Sequence, residues 1–133
     1  MPNEAEETRI LIVDDVECVR ELLCDAIGGP GIRIDTAGSC RESFRLLNEH
    51  TYDWALLDHR LPDGEGLQIL RTIRETNPGT RVLVISSEAA YPDFVLEALS
   101  LGAERVFPKP VPIVDLMRLF YNDAGAWAGC RAM

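Results

Sequence analysis

The chain has 133 residues, 47% of them hydrophobic, which leaves room for one domain with one sizeable core and not for a full second domain. Thirteen basic residues stand against 22 acidic ones, a formal net charge of −9, so the positive field that holds a phosphate backbone is missing and direct nucleic-acid binding is not expected. The start, Met-Pro-Asn-Glu-Ala-Glu-Glu, lacks the basic and apolar regions of a signal peptide, and no apolar run nears the roughly 18 residues of a membrane span, so the expectation is a cytoplasmic protein with no membrane contact.

Residues 1–7 read as a polar leader. Arg9 to Val13 is a short, continuous apolar run rich in β-branched residues, the pattern of a strand buried on both faces, and it ends in Asp14-Asp15. Val19, Leu22, Leu23, Ala26 and Ile27 then recur at helical spacing until Gly28-Gly29-Pro30-Gly31 stops the helix. Ile32 to Thr36 is a second strand, and Ser39-Cys40-Arg41-Glu42 has the form of a capping box opening a helix that carries Phe44 and Leu47.

The third strand, Asp53 to Leu57, ends at Asp58. A loop rich in Pro and Gly follows, then a helix through Leu67, Leu70 and Ile73 that closes at Asn77-Pro78-Gly79. Arg81 to Ile85 is the fourth strand and ends in Ser86-Ser87. Pro92 suits a first helical turn, the helix runs over Val95, Leu96 and Leu99, and Gly102 stops it. Arg105 to Phe107 makes a short fifth strand before Pro108-Lys109-Pro110, and a last helix from about Pro112 to Tyr121 carries Ile113, Leu116, Met117 and Phe120 on its apolar side. Residues 122–133 have no amphipathic spacing and read as a tail or the stub of a linker. Five successive βα units predict a parallel sheet covered by helices on both faces.

Cys18, Cys24, Cys40 and Cys130 form no Cys-x-x-Cys pair and read as free thiols in a reducing compartment.

In an open parallel sheet, ligands bind at the carboxyl ends of the strands, where the strand order reverses. The polar residues fall at those ends: Asp14 and Asp15 after the first strand, Asp58 after the third, Ser86 after the fourth and Lys109 after the fifth. Singly, each has another reading: an Asp pair as a helix N-cap, Asp58 as turn chemistry, Lys109 as a solvated loop residue. Together they describe a phosphoryl-transfer site. Crowded carboxylates repel one another, and a hard cation such as Mg²⁺ relieves this, suiting a site of carboxylates, a backbone carbonyl and waters. Lysine supplies a compact positive charge, Ser86 a hydrogen bond, and Asp58 a carboxylate nucleophile.

Over residues 8–121 the sequence resembles the receiver domains of two-component response regulators. The resemblance rests on Ile10-Leu-Ile-Val-Asp-Asp15, Asp58-His-Arg-Leu-Pro-Asp-Gly-Glu-Gly66, Val82-Leu-Val-Ile-Ser86, and Gly102-Ala103 followed by Lys109-Pro110. It implies a flavodoxin-like, doubly wound (βα)5 sandwich of three layers, with a parallel five-stranded sheet in the order 2-1-3-4-5. It also implies that Asp58 accepts a phosphoryl group from a phosphohistidine on a sensor histidine kinase or a histidine phosphotransfer protein. Asp15, Asp58 and the backbone carbonyl of Arg60 would ligate Mg²⁺, with Asp14 acting mainly through water. Ser86 would be the switch hydroxyl, with Ser87 as second choice, and Lys109 would sit beside the phosphoryl group, ahead of a cis Lys109-Pro110 bond. Arg60 and Glu88 would tune phosphate lifetime, and the domain's own activity would be weak self-phosphorylation and self-dephosphorylation.

The surface of the fourth helix, fifth strand and fifth helix would bind a downstream protein or a fused output domain, and the resemblance leaves room for a homodimer through helices 4 and 5. Many relatives carry an aromatic ring three residues before the lysine, as a reporter of phosphorylation; here that switch position is Val106. His59 reads as a surface or loop residue. Phosphohydrolases of the haloacid dehalogenase type usually place a second acid two residues after the nucleophile, where this chain has Arg60, which disfavours rapid turnover.

Overall fold

A computed structural model describes residues 7–123, with side chains described to residue 120; the first six residues of the leader, and the tail from residue 124 with Trp127 and Cys130, lie outside the described residues. The elements in chain order are β1 (Thr8–Val13), α1 (Glu17–Ile27), β2 (Ile32–Ala37), α2 (Cys40–Glu49), β3 (Trp54–Asp58), β4 (Arg60–Leu61), β5 (Gly64–Glu65), α3 (Gly66–Thr76), β6 (Arg81–Ile85), α4 (Pro92–Ser100), β7 (Ala103–Phe107) and α5 (Ile113–Asp123). The main sheet has the order β2-β1-β3-β6-β7, with every pairing parallel, while β4 and β5 form a separate two-residue antiparallel ribbon. With that ribbon set aside, the order is the predicted 2-1-3-4-5.

Strand alternation divides the core into two layers. Leu11 and Val13 of β1, Leu57 of β3 and Val84 of β6 pack beneath α2, α3 and α4, with Leu70, Ile73, Phe94 and Ala98. Ile10, Ile12, Leu56, Leu83 and Ile85 turn to the other face, against Leu23 and Ile27 of α1 and Leu116, Leu119 and Phe120 of α5. Burial on both sides is why the strands read as continuous apolar runs.

Where the structure departs from the predicted elements, the causes are local. The β7 strand begins two residues early, at Ala103, because Ala103 pairs with Val82 and an irregularity in the ladder then brings Arg105 opposite Leu83. The capping box at α2 is only half formed: Ser39 Oγ accepts from the Glu42 N–H, but the Glu42 carboxylate accepts from Gly38 N–H rather than from Ser39. Asp63, in the turn between β4 and β5, completes this end by accepting from the N–H groups of both Cys40 and Arg41. Those bonds hold its carboxyl below the ordinary aspartate range. A full reciprocal box stands instead at α3, between Glu65 and Gln68.

On α4 the inward residues are Phe94 and Ala98, whereas Leu96 and Leu99 face solvent and Val95 is half-buried. This helix is apolar on most sides, so spacing could not select the buried stripe. The same holds for Leu22 on α1.

Cys18, Cys24 and Cys40 are free thiols, and burial pushes the Cys40 thiol up to about 11, which makes it a poor nucleophile. Among the described residues no helix is long and apolar enough to cross a membrane.

Gly102 has φ +107°, and a Cβ there would lie 2.4 Å from Arg74 Nε, on a guanidinium that also bonds the carbonyls of Pro78, Thr80 and Gly102. Gly102→Ala is expected to destabilise the fold by about 1–3 kcal/mol, read from urea denaturation.

Candidate phosphoryl-transfer site

Strand order reverses between β1 and β3: the chain passes from β1 outward to β2, then returns to the other side of β1. The loops that leave β1, β3, β6 and β7 surround this point at the carboxyl end of the sheet. The predicted residues come together there. Carboxylate oxygens of Asp14, Asp15 and Asp58 all lie within 4.8 Å of one another, with Asp14 and Asp58 buried and Asp15 exposed. Lys109 Nζ reaches over from the end of β7 to within 2.6 Å of Asp58 Oδ1, and the Lys109-Pro110 bond is cis.

Local backbone geometry sets each side chain. The Asp14 N–H donates to Ala37 O at 3.0 Å, prolonging the β1–β2 ladder, and Asp14 Oδ1 accepts from the Val16 N–H at 2.8 Å. The helix N-cap is Val16, which makes no side-chain cap, so neither residue of the Asp pair occupies the cap position of α1. Arg20 donates to Asp14 O at 2.7 Å and ties the first turn of α1 to this loop. Gly66, the last residue of the motif that begins at Asp58, is a positioning residue: its N–H donates to His59 O, and a Cβ would stand 2.4 Å from the Asp58 carbonyl oxygen. Only a glycine lets α3 begin this close to the strand end.

Apart from the Lys109 ion pair, neither oxygen of the buried Asp58 carboxylate has a hydrogen-bond partner. Burial pushes the Asp58 carboxyl up, against the lowering effect of Lys109. Burial likewise raises Asp14, with the Asp58 charge adding to the shift and the Val16 N–H opposing it. Three close carboxylates beside one lysine fit a hard divalent cation.

Ser86 is buried at the end of β6, its N–H donating to Phe107 O at 2.9 Å, whereas Ser87 is exposed. Ser86 Oγ accepts from the Glu88 N–H at 2.9 Å. The Glu88 carboxylate in turn pairs with the exposed Arg60 guanidinium at 3.0 Å, at the rim of the site. Val106 is half-buried, paired with Val84 and packed on the layer beneath α2, α3 and α4.

One expectation is corrected. His59 stands in the one-residue link between β3 and β4, but it is not a surface side chain: it is 4% exposed, and its N–H donates to Ile85 O and continues the ladder one residue past β3, so the alternation turns the ring inward, onto Phe94. Trp54 lies at the opposite end of β3, about 13 Å along the strand from Asp58 at ~3.3 Å per residue. It is packed on Phe120 of α5, with ring centroids 4.6 Å apart.

Residues 10–120 match the response regulator receiver domain family. The chain belongs to that family. It is 36% identical over 109 residues to the virulence transcriptional regulatory protein PhoP of Salmonella typhimurium, a match that covers 82% of this chain and 48% of that protein. The chain thus spans about half the length of the curated relatives it matches. Among solved structures, it superposes on a CheY-like receiver domain protein from Methanospirillum hungatei with TM-score 0.81 at 24% identity, covering 92% of this chain and 98% of that one, a likeness of fold. A beryllofluoride-activated NtrC4 receiver domain dimer gives TM-score 0.76 at 29% identity, with the same coverage. A receiver domain is a phosphoacceptor switch of two-component signalling, working with a kinase or phosphotransfer partner.

Two predictions follow from the geometry. Gly66→Ala is expected to destabilise the domain by about 1–3 kcal/mol in urea melts, since the clash is with backbone that cannot turn aside. Because the Asp14 and Asp58 carboxyls titrate higher in the folded chain than in the unfolded one, the folded state holds more protons just above the ordinary aspartate range, and their joint contribution to stability falls as pH rises through that window. Asp14→Asn, which keeps an oxygen for the Val16 N–H, removes part of that fall: in metal-free urea melts its stability relative to the parent chain is expected to increase from pH 4 to pH 7.

Proposed function

We propose that Asp58 is the phosphoacceptor of this receiver domain and that it takes its phosphoryl group from a phosphohistidine on a sensor kinase or phosphotransfer protein. The observation that carries the reading is a buried carboxylate with an ammonium 2.6 Å from one of its oxygens and two further carboxylates within 4.8 Å. One oxygen of Asp58 attacks phosphorus as the phosphorus–nitrogen bond of the donor breaks, its electron pair leaving with the imidazole. Lys109 neutralises charge on the transferring oxygens, and the Ser86 hydroxyl turns toward the phosphoryl group once it is in place. Asp15, Asp58 and the carbonyl of Arg60 would hold Mg²⁺, with Asp14 acting through water. That ion, when bound, draws charge from the phosphoryl oxygens and offsets the crowding of the carboxylates.

The Arg60–Glu88 ion pair lies at the rim, where water must pass to reach the phosphoryl group, so these two side chains set how long it survives. Intrinsic transfer from small phosphodonors and self-dephosphorylation are both slow, and the protein works in the cytoplasm. The surface of α4, β7 and α5 carries the signal to a downstream protein or a fused output domain and serves a homodimer formed through α4 and α5. The excess of acidic residues supports a receiver that makes no nucleic-acid contact of its own, whatever its longer relatives do.

Incubation with Mg²⁺ and acetyl phosphate, followed by intact-mass measurement, tests the reading. A Mg²⁺-dependent adduct of one phosphoryl group is expected, absent in Asp58→Asn and formed at least about tenfold more slowly in Lys109→Ala. Absence of any adduct would leave a constitutive binder, and rapid release of phosphate over many turnovers would point to a phosphohydrolase. Separating Arg60 from Glu88 by Glu88→Ala is expected to change the decay rate of the adduct, measured after the donor is removed, with less effect on its formation.

A further inference from the structure

Asp58 ends β3 and His59 follows it, extending the ladder by one bond, so that the strand alternation sends the two side chains to opposite faces of the sheet. The His59 backbone is pinned on both sides, its N–H donating to Ile85 O at 3.0 Å and its carbonyl accepting from the Gly66 N–H at 2.8 Å. The ring is not pinned in this way, since Nδ1 has no hydrogen-bond partner. Instead it is wedged: its centroid lies 4.5 Å from the ring of Phe94, in the first turn of α4, and Nε2 lies 3.4 Å from the Glu88 carboxylate and 3.6 Å from that of Glu65. Glu88 therefore touches three groups at once: Ser86 through its N–H, and Arg60 and His59 through its carboxylate.

We propose that His59, held between Glu88 and Phe94, is the positioning residue that carries the state of Asp58 to helix α4. The inference rests on Asp58 being the acceptor. A phosphoryl group there adds negative charge and three acceptor oxygens beside Ser86 and Arg60. Either partner drawn toward it leaves Glu88, and the contact that Glu88 keeps is His59. A shift of the His59 ring cannot be absorbed by empty space, because it is packed on Phe94 in a dense layer, so the first turn of α4 moves with it. The outer face of that helix exposes Tyr91, Leu96 and Leu99, which turns a small displacement into a changed apolar surface. Val106, paired with Val84, is β-branched with a stiff χ1 and packs against the same layer.

The test is amide NMR of the ¹⁵N-labelled chain before and after Mg²⁺ and beryllofluoride, in the parent, in His59→Leu and in Phe94→Leu. Amides at Arg60 and Lys109 report occupancy of the site, and amides from Val95 to Ser100 report α4. In the parent both sets are expected to shift. In each variant the site amides are expected to shift as in the parent, while the α4 shifts fall to less than half, a loss of coupling that weakened packing alone would not produce. Full α4 shifts in both variants would overturn the inference, as would an α4 that stays still in a parent whose site amides respond. Loss of the site response in His59→Leu and Phe94→Leu alike would assign these rings to building the site rather than to relaying it. A parent without site shifts would overturn the acceptor reading itself, and the relay with it.

Discussion

The Asp58 carboxylate is buried at the end of a central strand, 2.6 Å from one ammonium and within 4.8 Å of two further carboxylates, and much of the molecule serves to keep it there. Bringing three acids together is unfavourable in itself: burial and mutual repulsion push the Asp14 and Asp58 carboxyls upward, and Lys109 offsets only part of this. The folded chain therefore holds a site that is better satisfied with added positive charge than without it.

The sheet makes that arrangement affordable. Six-residue and five-residue strands, apolar on both faces, form two packed layers, one on each side of the sheet. The polar residues occupy only those ends, where the ladder finishes and backbone groups find unusual partners: Asp14 on Ala37, His59 on Ile85, Ser86 on Phe107. Each of these bonds extends a strand by one residue and sets the direction of the side chain that follows. Gly66 completes the frame by letting α3 start against the Asp58 carbonyl.

Around the rim, charges tie together loops from different strands. Arg60, from the ribbon after β3, meets Glu88, from the loop after β6, and Glu88 is bonded through its backbone to Ser86. Asp63, farther along the same ribbon, binds the first turn of α2. A change of charge at Asp58 is thus felt by neighbours that belong to several elements, which is the physical requirement for a switch whose output surface lies away from its chemistry.

The sequence alone determined the five βα units, the parallel sheet and the acids, serine and lysine at its strand ends, because apolar runs of strand length and the polar residues that end them are local signals. It ranked Ser86 above Ser87 from where the strand's burial ends, and kept Ser87 as a second choice. It could not choose the buried stripe of α4, a helix apolar on most sides, in which Phe94 and Ala98 rather than Leu96 and Leu99 face the sheet. Nor could it show that Asp63 caps α2 across 22 residues of chain, or that Glu42 reaches Gly38 instead of closing a box with Ser39. His59 is the clearest case. In sequence it is a polar residue following a strand, and only the pairing of β3 with β6, which continues the ladder through its N–H, decides that its ring turns inward onto α4.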